Sequence, residues 1–353
     1  HPYTRQLAQA SMHVPNRPRH HRAEGSATQP PLLEVSSVVR EYPGRRLSLF
    51  SPGKPFRAVD GVSFSLLAGQ STALVGRSGC GKSTLARMIL ALDRPTSGTI
   101  RFMGETLTGK EISELRSARR DMQVVFQDPY GSFNPRHRVE RLVAEPLHLL
   151  DARPDATERR RMVAQALHEV GLKPEDMDKY PHEFSGGQRQ RLSIARALIT
   201  RPKLIVADEP VSALDVSIRA QIINLLLELK DAFRLSYIMI SHDLGVVEHM
   251  SDRVAVMYLG RVVETGPWET IFTRPRHPYT RALIAAIPDP FGRTRGVKVT
   301  GEVPNPLDPP TGCSFHPRCP EARAICRERP APGLEALGAD HLVRCRRAAE
   351  LAA

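Results

Sequence analysis

The sequence predicts an α/β fold built on a mostly parallel core sheet, and three observations predict it. Short apolar runs alternate with amphipathic stretches along most of the chain, as buried strands alternating with helices would. A glycine-rich segment, GRSGCGKST, falls between one such run and the amphipathic stretch that follows. A further run, KLIVADEP, ends in two acidic residues, at the carboxyl end of a strand, where parallel sheets gather their ligands.

The elements follow in order. Residues 11–31 are rich in Pro, Arg, His and small polar residues without apolar periodicity and read as a linker. From LLEVSSVV at Leu32 the pattern becomes strand-like and a folded domain begins. STALVG precedes the helical pattern STLARMILAL, MQVVFQ reads as a strand, KLIVADEP leads toward the helical AQIINLLLELK, and SYIMISHDL reads as a further strand. Residues 140–180 are helical and polar in pattern, a helical insertion within about 128–200. After about residue 288 the texture turns to PDPFGRTRG and PNPLDPPTG, a loop-rich tail over 289–353.

Bulk properties bound the function. A chain of 353 residues is long enough for one large domain and a smaller appendage, or for two modest domains. Hydrophobic content of 41% and charged content of 25% are those of a folded globular protein. No run approaches the roughly 20 apolar residues of a membrane-spanning helix, and the start lacks the apolar core of a signal peptide. The net charge of +12 favours an anionic neighbour, whether nucleic acid, lipid head groups or phosphorylated ligands.

The segment Gly76–Ser83 fits G-x-x-x-x-G-K-[ST] between a strand and a helix. Its glycines let backbone N–H groups turn toward phosphate, and the helix N-terminus adds partial positive charge. Lys82 is placed to reach the β and γ phosphates and the Ser83 hydroxyl to ligate magnesium. Ser78, Gly79, Cys80, Gly81 and Thr84 complete the phosphate-facing set, Cys80 as a small tolerated residue and not a nucleophile. Asp208 is suited to hold magnesium through water and Glu209 to polarise an attacking water.

FSGGQRQRLSIARAL, from Phe184 to Leu198, resembles the signature of ATP-binding cassette ATPases, a second anion site of the helix N-terminal kind. The resemblance spans roughly 32–288 and implies a P-loop NTPase cassette with an antiparallel β subdomain and a helical subdomain. It implies that Ser185, Gly186, Gly187 and Gln188 meet the triphosphate held by a second cassette. It further implies a Q-loop glutamine at Gln127 that senses magnesium, a D-loop at Ser212–Asp215 ending in Asp215, and a switch histidine at His242 that contacts γ-phosphate. Tyr42 in VREYP is placed like the aromatic that stacks on adenine.

Cys313, Cys319, Cys326 and Cys345 crowd the tail with five, six and eighteen residues between them. In a reducing compartment such clustering points to metal before disulfide. Four thiolates suit a 4Fe–4S cluster or tetrahedral zinc, metal-free cysteines remaining open, and His316 and His341 nearby allow a mixed Cys/His zinc site. The tail and the HPYT phrase at His277–Thr280 resemble the C-terminal extension of ATP-binding subunits of dipeptide, oligopeptide and nickel importers, a resemblance that favours iron and sulfur.

The resemblance implies an ATPase energising peptide import, with a nickel importer as the alternative. The chain would lie peripherally on the cytoplasmic face of the inner membrane, against two transmembrane permease subunits and, indirectly, an extracytoplasmic solute-binding protein. A soluble cassette acting on nucleic acid or ribosomes is the rival class. The 57 residues between Gln127 and Ser185 leave no room for a coiled-coil arm, and no basic stretch interleaved with aromatics suits single strands, so no nucleic-acid partner is expected. Residues 1–10, HPYTRQLAQA, match 277–286 at seven of ten positions, so they read as the tail of a preceding cassette, with residues 1–31 joining it to this one.

Overall fold

The computed structural model describes residues 29–48, 51–128, 131–212, 214–287, 299–338 and 340–352. The decapeptide at 1–10 and linker residues 11–28 lie outside the described residues. In chain order the elements are β1 (Leu33–Ser48), β2 (Ser51–Leu66), β3 (Ser71–Val75), α1 (Lys82–Ile89), β4 (Ser97–Phe102), β5 (Glu105–Thr106), α2 (Arg116–Asp121), β6 (Met122–Val125), α3 (Val139–Val143), α4 (Ala156–Glu169), α5 (Gly186–Leu198), β7 (Leu204–Asp208), α6 (Val216–Phe233), β8 (Ser236–Ser241), α7 (Leu244–Met250), β9 (Arg253–Tyr258), β10 (Arg261–Pro267), α8 (Trp268–Thr273), α9 (Pro278–Ala285), β11 (Glu335–Gly338) and β12 (His341–Val343). STALVG, KLIVADEP and SYIMISHDL therefore form strands, and the two amphipathic stretches form α1 and α6.

The chain divides into two compact units and passes between them several times, the last time inside β8. The first comprises the stretch up to Leu32, Leu66–Gln70 and Phe102–Ile238. Here β6 and β7 pair in parallel, with Met122 opposite Leu204 and Val125 opposite Ala207. Residues Leu204–Ala207 are fully buried, which explains the unbroken apolar run: a strand covered on both faces has no polar side to show. Helix α4 starts at an Asp155 cap whose carboxylate accepts from the Glu158 N–H, and it buries Val163, Ala166 and Leu167. Helix α6 buries Ile222, Ile223, Leu225, Leu226 and Leu229.

The second unit comprises Leu33–Ser65, Ser71–Arg101 and the chain from Met239 onward. Strand β1 lies between β2 and β4, burying Leu33, Val35 and Val38. Strands β3 and β9 pair in parallel, Thr72 opposite Arg253 and Val75 opposite Val256. Strands β9 and β10 pair antiparallel, with a register shift between Val262 and Glu264. The tail, expected as loops, contributes two strands: β12 pairs antiparallel with β10, Glu264 opposite Val343, and β11 pairs with β12. Strands this short show no readable periodicity, so only the edge of β10 defines them. No helix among the described residues is long and apolar enough to cross a membrane.

Candidate functional site

The second unit holds the phosphate-loop residues. Gly76 follows β3 directly, and α1 begins at Lys82 with Gly81 as its cap. Gly81 has φ of 104°, and a Cβ there would lie 2.3 Å from the Ala58 carbonyl oxygen, so only glycine fits. A Cβ on Gly76 would lie 2.4 Å from the Met257 carbonyl oxygen at the end of β9. Lys82 is 6% exposed, and its ammonium donates to the carbonyls of Gly76 (2.7 Å) and Arg77 (3.2 Å), folding the loop around itself. Ser78, Gly79 and Ser83 are exposed, and Thr84 is half-buried. Cys80 is buried with its thiol pushed up by desolvation, as a packing residue would be.

In the same unit, His242 is exposed just beyond β8. The Tyr42 hydroxyl donates to Asp93 (3.0 Å), whose other carboxylate oxygen pairs with Arg40 (2.8 Å), while the Arg40 guanidinium lies 4.6 Å from the Tyr42 ring centre.

The first unit brings together residues far apart in sequence. The Gln127 side-chain amide donates to the Glu209 carboxylate at 2.9 Å. Asp208 ends β7, and Glu209 beyond it has φ of 47°, the left-handed region that a non-glycine residue enters only when its surroundings hold it there. Ser212 supplies part of that hold: its N–H and hydroxyl both donate to the Glu209 carbonyl, at 3.2 and 3.1 Å. Asp215 caps α6 by position and is exposed. Ser185 caps α5 in a capping box, its N–H donating to the Gln188 side chain (2.9 Å) and its hydroxyl accepting from the Gln188 N–H (3.4 Å). Gly186 and Gly187 form the first turn, and a Cβ on Gly187 would meet Ile218 of α6 at 2.5 Å.

The four tail cysteines line one cavity together with His277, Phe315 and His316. Burial raises the Cys313 thiol and pushes Cys319 and Cys345 up to about 11, so the thiols stand neutral there. No group of three or more His, Cys, Asp or Glu side chains among the described residues is arranged to hold a metal ion, so their placement lends the expected 4Fe–4S or zinc site no support. His341, expected as a possible zinc ligand, is instead taken by a buried carboxylate, its Nε2 donating to Glu264 at 2.7 Å. His316 turns Nδ1 onto the Cys313 carbonyl at 2.9 Å.

Spacing did not reveal the network around the HPYT phrase. The fully buried Glu264 accepts from the N–H groups of Arg276 (2.7 Å) and His277 (3.0 Å) as well as from His341. His277 Nδ1 accepts from the Tyr279 N–H at 3.1 Å and caps α9, and burial pulls its pKa down to about 4. The one available signal was a carboxylate next to the apolar pair Val262–Val263, Glu264 in GRVVETG.

The ABC transporter family matches residues 59–212, and the family of the oligopeptide/dipeptide transporter C-terminal region matches residues 263–326. The dipeptide transport ATP-binding protein DppF of Haemophilus influenzae is 47% identical over 317 residues, 89% of this chain and 96% of that protein. The oligopeptide transport ATP-binding protein OppF of Escherichia coli is 47% identical over 301 residues, 84% of this chain and 90% of that protein. Among solved structures, a dimeric post-hydrolysis state of the ATP-binding cassette MJ0796 bound to ADP and Pi has a TM-score of 0.59 at 27% identity, over 67% of this chain and 98% of that one. The chain belongs to the ATP-binding cassette family, among the ATP-binding subunits typified by these peptide-transport proteins.

Proposed function

We propose that this chain hydrolyses ATP to drive import of dipeptides or oligopeptides, lying peripherally on the cytoplasmic face of the membrane against two permease subunits. An extracytoplasmic solute-binding protein delivers the solute, and a second cassette completes each ATP site. The observation that carries the reading is the loop at Gly76–Ser83, which wraps a buried ammonium with its own carbonyls at a strand–helix junction. Lys82 exchanges those carbonyls for β and γ phosphate oxygens, and Tyr42 stacks on the adenine. Magnesium, when bound, neutralises the phosphate oxygens, held by Ser83, Gln127 and Asp208. Glu209 takes the proton of the attacking water while the Gln127 amide orients its carboxylate. His242 of this chain and Ser185, Gly186, Gly187 and Gln188 of the opposing cassette stabilise the charge that spreads over the γ-phosphate, with Asp215 beside them.

Residues 32–288 form the ATPase domain in this reading, and 289–353 form an extension in which Cys313, Cys319, Cys326 and Cys345 hold a 4Fe–4S cluster, or zinc. Its role is structural, clamping a tail short of apolar core. Iron, sulfide and zinc analysis after anaerobic purification distinguishes the two, and a chain free of all three ends this part of the proposal. For transport, labelled dipeptide uptake by proteoliposomes of the assembled complex tests the reading. Lys82→Ala is expected to abolish uptake, and ATP-independent uptake at the wild-type rate would refute it.

A further inference from the structure

The geometry points to Tyr279 as a positioning residue for the phosphate loop, coupled through Phe315 to the cysteine-bearing tail. This rests on the ATP reading above and adds to it a role for the HPYT phrase.

The Tyr279 hydroxyl accepts a hydrogen bond from the backbone N–H of Arg77 at 3.1 Å, across 202 residues of sequence. That peptide joins Gly76 to the loop, at the point where the chain leaves β3 and is packed hard against the end of β9. An N–H committed to Tyr279 does not turn toward phosphate, so it sets the wall of the loop and leaves the later amides to bind. The hydroxyl is itself fixed. Tyr279 is 3% exposed in the first turn of α9, and that turn is anchored by the His277 cap and by Glu264, which receives the N–H groups of Arg276 and His277.

Its ring lies 4.7 Å from that of Tyr258, the last residue of β9, and 5.4 Å from that of Phe315. Phe315 is 1% exposed, stands two residues after Cys313, and packs also on Tyr258 (5.3 Å) and His277 (5.8 Å). It lines the cavity that the four cysteines share. A displacement of the cavity wall at Phe315 therefore bears on the Tyr279 ring, and the Tyr279 hydroxyl carries it to the loop. Close-packed interiors transmit such shifts because they hold no slack. The shared aromatic cluster and the single hydrogen bond at its end make one contiguous path within one unit.

The test uses the chain in its assembled complex, with a fluorescent ATP analogue for binding and steady-state ATP hydrolysis for turnover. Tyr279→Phe removes only the acceptor oxygen, and one such bond is worth about three- to tenfold in affinity. The expected result is a rise of that size in the analogue Kd and in KM for ATP, with kcat within about twofold of wild type. Phe315→Leu is expected to raise Kd in the wild-type background and to have little further effect beside Tyr279→Phe, the non-additivity of residues acting as a unit. Should Phe315→Leu fail to fold, Phe315→Met serves the same comparison. An unchanged Kd in Tyr279→Phe, a lowered Tm with KM unchanged, or additive effects of the two substitutions would overturn the inference. A wild-type chain that binds no nucleotide would overturn the ATP reading itself and this inference with it.

Discussion

Replacing His277 with Asn removes a buried imidazole while keeping a side-chain acceptor at the cap of α9. In the folded chain His277 is 1% exposed, and its Nδ1 must stay unprotonated to accept from the Tyr279 N–H. Burial lowers its pKa from 6.5 to about 4, with Glu264 opposing the shift and Arg344 adding to it. Between those values the unfolded chain binds a proton that the folded chain refuses. Stability contributed by this residue is therefore complete above pH 6.5 and is lost as pH falls toward 4. At 1.36 kcal/mol per pKa unit, the loss between pH 7 and pH 4.5 is about 2.5 kcal/mol. Asn does not titrate, so the pH-dependent difference between the two proteins reports the imidazole together with its charge coupling to Glu264 and Arg344. The chain has one Trp, Trp268, the first residue of α8, which makes its fluorescence a reporter for the unit that holds His277. Urea unfolding followed by that fluorescence should show the wild type losing about 2.5 kcal/mol against His277→Asn over this range. A gap that does not change with pH would refute the reasoning.

Two further outcomes follow from close approaches of the backbone. Gly81→Ala forces a Cβ to 2.3 Å from a backbone oxygen at φ of 104°, so we expect about 1–3 kcal/mol of destabilisation and at least about tenfold weaker nucleotide binding, by urea titration and analogue binding. Gly187→Ala places a Cβ 2.5 Å from the Ile218 side chain and should cost about 1–3 kcal/mol, part of which Ile218→Ala restores in the double variant, since the neighbour here is a side chain.

The parts legible in the sequence were those whose cause is local. A fully buried strand must be apolar throughout, so STALVG, KLIVADEP and SYIMISHDL declared β3, β7 and β8. A tight turn needing positive φ must carry glycine, so Gly81 was legible, whereas Glu209 adopts the same region with no glycine to mark it. The capping box at Ser185 and Gln188 is also local, three residues apart. What stayed hidden depends on distant partners. Gln127 meets Glu209 across 82 residues and Arg77 meets Tyr279 across 202, and neither pairing has a periodicity. The tail read as loops because β12 spans only His341–Val343 and becomes a strand through the edge that β10 offers. His341 read as a metal ligand because its partner, Glu264, lies on that same distant strand.

The central claim is that this chain hydrolyses ATP with Glu209 as the base that activates water. Phosphate release by the assembled complex with magnesium and ATP, compared between wild type and Glu209→Gln in this chain, tests it most directly. Loss of a general base predicts a fall of about 100-fold or more in release, with ATP affinity unchanged within about twofold. Release by Glu209→Gln within about twofold of wild type would contradict the claim.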